Sequence, residues 1–463
     1  MENYKSTTNS WFTTRKDNFM GKIEKCSRLY MIVTGILIAC FLSSCSKDDG
    51  ETTDSGSEIN VVVDNNGVAN AGHSFTRIDD KNFYIDDIKY TIVDSILEVT
   101  GYDETFFKGE AKLISSLDYH GSHFNVKNIA SDAFYSCKTL TAIVIPNGVV
   151  KIGNSAFKNC VHLESATIGN SVTEISGGVF SGCTSLSSIR IAGGNPKYDS
   201  RSNCNAIIET SSNCLIVGCK NTIIPSSVTS IGNYAFYDCT SITDFSIPEN
   251  ITSIGNYSFA GCSRLTFISI GNGVTSIGEY AFSGCTNLSA ITLPENLTAI
   301  GKLAFQDCKA LASITIPSKV TEIRYAFSGC SNLSVTICTP IVKDGWLYET
   351  PIKELQIGDE TTIIEKHAFW GCSELTKVSI GKNIKTIEYG AFYKCLKVRD
   401  FYCYSESVPE ATEGFSAMEM TLSGDFITYR FNFREATLHV PSTSISDYQN
   451  VQPWKFFGNI VAL

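Results

Sequence analysis

The sequence predicts a mostly β solenoid of about eleven coils of about 23 residues, with a parallel sheet along one side and short strands, turns and 3-10 segments along the other. Three observations predict it. A phrase of the form A-F-x-x-C recurs down the middle of the chain, most often at intervals of 23 residues. Between its copies, apolar residues alternate with others over a short run, which is the period of a strand. Each unit is also too small to close a core of its own, so only stacking on its neighbours takes its upper and lower faces out of water.

The phrase ends on Cys137, Cys160, Cys183, Cys239, Cys262, Cys285, Cys308, Cys330, Cys372 and Cys395. A phenylalanine stands three residues before each, from Phe134 to Phe392, and Leu or Ile follows most of them by three, as at Leu265, Leu288 and Leu311. Three departures are visible. The interval from Cys183 to Cys239 carries an insertion, one residue is missing near Arg324, and the interval from Cys330 to Cys372 holds an additional degenerate copy around 352–357.

One unit shows the expected path. In the run Leu265, Thr266, Phe267, Ile268, Ser269, Ile270, the alternation points Ile268 and Ile270 inward and Phe267 and Ser269 outward. The turn formers Gly271, Asn272 and Gly273 follow, with Pro294, Glu295 and Asn296 in the next copy. Val274 and Ile277 make a second apolar pair, Gly278 is expected to permit a tight bend, and Ala281 with Phe282 returns the chain to its start. Equivalent strands then pair in parallel about 4.8 Å apart, so eleven coils give a sheet on the order of 50 Å long.

This unit is similar to the BspA-type leucine-rich repeat of bacterial surface proteins over 129–403. The resemblance implies a leucine-rich-repeat solenoid. The insertion at about 193–224, with Asn195, Pro196, Lys197, Tyr198 and Asp199 followed by 203–208, resembles the interrupted repeat of that family, and 206–216 is expected to be a hairpin projecting from the stack. The stretch 81–128, with Glu98, Val99, Thr100, Gly101 and Tyr102, resembles the family's leading cap. The stretch 404–463 resembles its closing segment, in which Trp454, Phe456 and Phe457 are expected to cover the open end of the core.

Residues 1–45 read as an address. Lys22, Lys25 and Arg28 precede an apolar run from Leu29 to Leu42. That run is too short to span about 30 Å of hydrocarbon but suits the core of a signal peptide. Met20 is an alternative start. The sequence Leu42, Ser43, Ser44, Cys45 resembles the lipobox of bacterial lipoproteins, which implies cleavage before Cys45 and its acylation. The alternative is an ordinary cleaved leader with an incidental cysteine. Lys47, Asp48, Asp49, Gly50 and Glu51 resemble an acidic export signal to the outer face of the outer membrane, and equally read as the start of a flexible acidic linker over 46–80.

Eighteen cysteines in an exported chain invite a disulfide framework. Ten of them, however, take one equivalent place in successive coils, where side-chain vectors are parallel and cannot meet as a disulfide requires. They are expected to be small buried hydrophobes. One cysteine per coil also makes a line and not a tetrahedron, which argues against zinc. Cys204, Cys214 and Cys219 fall off the ladder and leave room for one disulfide among them.

No catalytic pattern emerges. Of six histidines only His120 and His123 are close, without evident carboxylate or thiol partners for a metal. No phosphate loop, dinucleotide glycine pattern or nucleophile elbow occurs. Glu164, Asp244, Asp307 and Glu322 never recur as a facing pair. The expectation is a chain that is not an enzyme and carries no cofactor or metal. The formal charge of -10, without a basic block, argues against nucleic acid.

What remains is the outward side of the parallel sheet. By alternation, one column holds Val144, Thr167, Arg190, Ser246, Ser269, Thr292, Thr315, Gln356, Ser379 and Tyr402; a second holds Ala142, Ser165, Ser188, Asp244, Phe267, Ala290, Ser313, Glu354, Lys377 and Asp400. A plain soluble sheet surface accounts for most of these residues. The candidate ligand face is Arg190, Asp244, Phe267, Thr292, Thr315, Glu354, Gln356, Lys377 and Tyr402, with Phe267, Tyr402 and Arg190 as anchors. The hairpin at 206–216 is a second candidate. The family resemblance implies adhesion by a monomeric surface lipoprotein toward host matrix, plasma or bacterial proteins, touching the membrane only through its lipid. The alternative is a glycan-capturing or scaffolding component of a surface nutrient-uptake complex, and a third reading is a structural envelope protein.

Overall fold

In the computed structural model the described residues are 58–463 apart from 65, 66, 71, 412–414, 421–426 and 432, with backbone alone for 416–420 and 427–431. The leader 1–45, Cys45 and residues 46–57 lie outside the described residues. The chain is a parallel β solenoid. Its main side carries fourteen strands in three sheets: four from Gly109–Lys112 to Ser188–Ile191, three from Asp244–Ile247 to Ala290–Thr292, and seven from Ser313–Ile316 to Asn459–Ala462. Eleven of the fourteen lie within 129–403. The other three are Gly109–Lys112 ahead of the first cysteine, and Thr437–Val440 and Asn459–Ala462, which carry the sheet through the closing segment.

Strand registers show why the repeat builds this fold. Asp244 pairs with Phe267 and Ile247 with Ile270, each partner 23 residues on. Along the opposite side, two-residue strands such as Ser253–Ile254, Ser276–Ile277 and Ala299–Ile300 form a second parallel ladder. Ile254, Ile277 and Ile300 of these short strands, and the Phe and the Leu, Ile or Val of each phrase, are buried between the two ladders. Ring after ring stacks: Phe236, Phe259, Phe282, Phe305 and Phe327 stand 4.8–5.4 Å apart and within 9° of parallel. Each such ring contributes about 2–3 kcal/mol by burial.

The chain does turn at Gly278, whose carbonyl accepts the Ala281 N–H at 3.4 Å, but the turn is not what calls for glycine there, since its φ is not left-handed. A Cβ there would lie 2.6 Å from the backbone nitrogen of Asn256 in the previous coil. The glycine is required by the closeness of the coils. The left-handed position is instead the residue two before each phenylalanine, as at Tyr234, Tyr257 and Tyr280 (φ 60, 55 and 55).

The insertion corrects a second expectation. It does not project. Ile207–Glu209 and Cys214–Val217 pair antiparallel, and Cys214–Val217 then runs parallel to Ser230–Ile231, joining the short-strand ladder. Ala206, Ile207, Ile208 and Leu215 are fully buried. Ile207 and Val217 belong to the N-terminal apolar core and Ile208 and Leu215 to the C-terminal one, so the hairpin is a wall between two cores. Apolar residues on both faces of a strand are what such a wall needs. Arg201 ties it down through a 2.6 Å ion pair with Asp199 and a 2.9 Å bond donated to the Asn213 side chain.

Both ends differ in detail from the sequence reading. The expected linker to 80 contains the strand Asn60–Val63, paired in parallel with Ser116–Tyr119, because Val61 and Val63 alternate into the core. At the far end Trp454 and Phe457 are buried, whereas Phe456 is 42% exposed. All fifteen cysteines of the described residues are free thiols, Cys204, Cys214 and Cys219 included.

Candidate binding face

The registers arrange the sheet residues in columns. Glu354, Lys377, Asp400 and Thr437 are successive partners in one column; Gln356, Ser379, Tyr402 and His439 are successive partners in the next. Alternation turns every one of these side chains away from the core, whose inward places are taken by Leu355, Val378, Phe401 and Leu438.

At the C-terminal end these columns make a connected cluster. The Lys377 ammonium lies 5.2 Å from the centre of the Tyr402 ring. Tyr402 stacks on the His439 imidazole at 4.2 Å and 8°. His439 Nε2 is 3.1 Å from Asp400 Oδ1. A cation over an exposed ring contributes about 0.5–1 kcal/mol, so the four groups hold one another in place while remaining at the surface. They offer a cation, two rings and a carboxylate within three adjacent strands.

The other candidates sit elsewhere on the same side. Asp244 and Phe267 are direct partners in the three-strand sheet, with Phe267 46% exposed and Thr292 one coil further along. Thr315 is exposed on the first strand of the seven-strand sheet. Arg190 is exposed on the last strand of the four-strand sheet, separated from Asp244 by the buried hairpin. The structure thus gathers Glu354, Gln356, Lys377 and Tyr402 into one patch, keeps Asp244, Phe267 and Thr292 in a second, and leaves Arg190 apart.

Two features escaped the sequence reading. His439 completes the patch from the closing segment; the phrase Leu438, His439, Val440 matches Phe401, Tyr402, Cys403 in register and was the available signal. The columns also passed over Ser334 and Thr336, which belong to a full strand, Ser334–Ile337, between Thr315 and Gln356. Beyond the residue missing near Arg324, a second is missing between Leu333 and Val335, so that Ser334 follows its partner Ser313 by 21 residues, which hid the strand.

The ten repeat cysteines are buried, and eight of them do more than fill space. Cys262, Cys285 and Cys308 each donate a thiol hydrogen bond of 3.2 Å to the backbone carbonyl of the phenylalanine one coil earlier, Phe236, Phe259 and Phe282. Cys372 makes the same bond to Leu347, which replaces phenylalanine in the degenerate coil. Burial pushes the thiols up, Cys285 and Cys330 to about 12.

Coils of about 23 residues stacked in parallel, with the Leu and Phe of each unit buried between two ladders of strands, define a repeat protein of leucine-rich class; no helix among the described residues is long and apolar enough to cross a membrane. The chain belongs to the BspA type leucine rich repeat family, whose pattern matches in six copies over 114–213, 212–334 and 339–417. It is similar to the crystal structure of a leucine-rich repeat protein from Bacteroides ovatus, at 23% identity over 69% of this chain and 94% of that one, with a TM-score of 0.41. It is similar to a leucine rich cell surface protein from Faecalibacterium prausnitzii at 20% identity, over 83% and 95% of the two chains, TM-score 0.38. It is also similar to the pneumococcal vaccine antigen PcpA at 16% identity, over 84% and 98%, TM-score 0.34. No curated relative matches the chain.

Proposed function

We propose that the chain is a non-catalytic protein-binding module of the bacterial cell surface, an adhesin-like lipoprotein anchored through Cys45 that takes an extracellular or surface protein on its parallel-sheet side. The observation that carries this reading is the cluster of Lys377, Asp400, Tyr402 and His439. A cation and aromatic rings fixed at the surface of a rigid scaffold are the groups that dominate protein interfaces. The family is a repeat family, and repeat solenoids use their long sides for binding. The anchor is supported by the leader that ends on Leu42, Ser43, Ser44 and Cys45.

The test is capture from serum, extracellular matrix and co-resident bacteria by the chain from Ser46 onward, beside Lys377→Ala and Tyr402→Ala. The wild type retains a protein that both variants lose while all three melt together. Capture of nothing, or equal capture by all three, overturns the sheet-side reading; retention of a glycan alone moves the chain to a nutrient-capture complex. Cys45→Ser is expected to release the protein from the membrane fraction and to abolish its labelling by a fatty acid.

A further inference from the structure

On the turn between the short-strand side and the phenylalanine of each coil, three tyrosines stand in register. The Tyr234 and Tyr257 rings are 5.0 Å apart and 3° from parallel; Tyr257 and Tyr280 are 4.7 Å apart and 6° from parallel. Their left-handed backbone and the 23-residue repeat aim all three the same way. Tyr234 is 40% exposed and the other two are half-buried. None of the three hydroxyls has a hydrogen-bond partner among the described residues. The stack ends where Gly177 meets the free face of Tyr234 and where Leu303 takes the place after Tyr280. No methionine lies between Met31 and Met418, and the neighbouring thiols of Cys239, Cys262 and Cys285 are buried. An oxidant arriving at this surface therefore meets phenols before sulfur.

We propose that Tyr234, Tyr257 and Tyr280 form a site of oxidative cross-linking, at which a peroxidase-type oxidant with hydrogen peroxide joins Tyr257 to a stacked neighbour and staples one coil to the next. Each of two phenols gives up its O–H hydrogen atom. The two radicals couple through ring carbons ortho to oxygen, forming one carbon–carbon bond. The hydrogens on those two carbons move to the phenolic oxygens and restore both rings. Two hydrogens leave the protein in all, and one peroxide becomes two waters.

The full chain treated with horseradish peroxidase and hydrogen peroxide gains dityrosine fluorescence within the monomer. Peptide mapping finds Tyr257 joined to Tyr234 or Tyr280 with loss of two hydrogens. Tyr257→Phe keeps the ring stack but removes the shared member of both pairs, and the fluorescence falls to background. Tyr237→Phe, which removes a ring set edge-on to Tyr234 at 5.6 Å and 71°, leaves it unchanged. Fluorescence that survives Tyr257→Phe, cross-links found only between separate molecules, or no cross-link at all overturns the proposal.

Discussion

The Cys285 thiol donates to the Phe259 carbonyl, 3.2 Å away in the preceding coil. That same carbonyl already accepts the Cys262 backbone N–H at 3.2 Å within its own coil. One carbonyl thus closes the turn of its coil and holds the next coil against it. A buried carbonyl has two lone pairs, and the thiol takes the second where water cannot reach. The bond recurs wherever two regular coils adjoin.

Cys285→Ala removes that donor and opens a small cavity without changing the backbone. The expected loss is about 1–2 kcal/mol, from the hydrogen bond and the buried sulfur together. Urea unfolding followed by circular dichroism measures it. A loss no larger than that of an exposed substitution such as Thr292→Ala would show that neither the hydrogen bond nor the buried sulfur stabilises the coil.

The ladder also makes stability depend on alkaline pH. Burial holds the Cys285 thiol up to about 12, against 9.0 for the free group. The folded chain keeps a proton that the unfolded chain releases, so the contribution is whole below about pH 9 and is lost as pH rises toward 12. The urea midpoint should therefore fall from about pH 9 upward, with a slope that is shallower in a variant carrying Ala at 262, 285 and 308. Equal slopes in the two proteins would remove the thiols as the cause.

The repeat was legible because 23 residues return Phe, Cys and Leu to the same side, and that side must be buried. The outward columns followed from alternation alone, and Glu354, Lys377 and Tyr402 lie where alternation places them. What escaped depends on distance between coils or on one-residue shifts. The thiol bond joins Cys285 to a backbone atom 26 residues earlier, which no side-chain pattern reports. The strand Ser334–Ile337 is shortened on its approach by one residue. The hairpin at 207–217 looked like a projection because it interrupts the period. Yet adjacent Ile207 and Ile208, apolar on both faces, carried the information that it is enclosed.

That enclosure has a directional consequence. Ile208 faces the C-terminal core and Ile207 the N-terminal core. Truncation of either to Ala is expected to cost about 2–4 kcal/mol. Hydrogen exchange should locate the loss on opposite sides of the hairpin: Ile208→Ala loosens the coils of Phe236 and Phe259, and Ile207→Ala those of Phe157 and Phe180. A common loosening of both sides by each variant would mean that the hairpin is not a wall.

Ser258 offers a substitution in the stabilising direction. It stands where Ala235, Ala281 and Ala304 stand in neighbouring coils, before the stacked phenylalanine. It is fully buried, and its hydroxyl is the buried side-chain polar atom among the described residues with no hydrogen-bond partner. An unpaired hydroxyl in that position loses its water without replacement, at a cost of about 1–3 kcal/mol. Ser258→Ala removes the hydroxyl and little volume, and three adjacent coils already accommodate the product. The variant should be more stable by about 1 kcal/mol, seen as a higher urea midpoint with an unchanged slope. A midpoint equal to or below that of the wild type would mean that the hydroxyl has a partner, such as an enclosed water, and that the coil of Phe259 is packed differently from its neighbours.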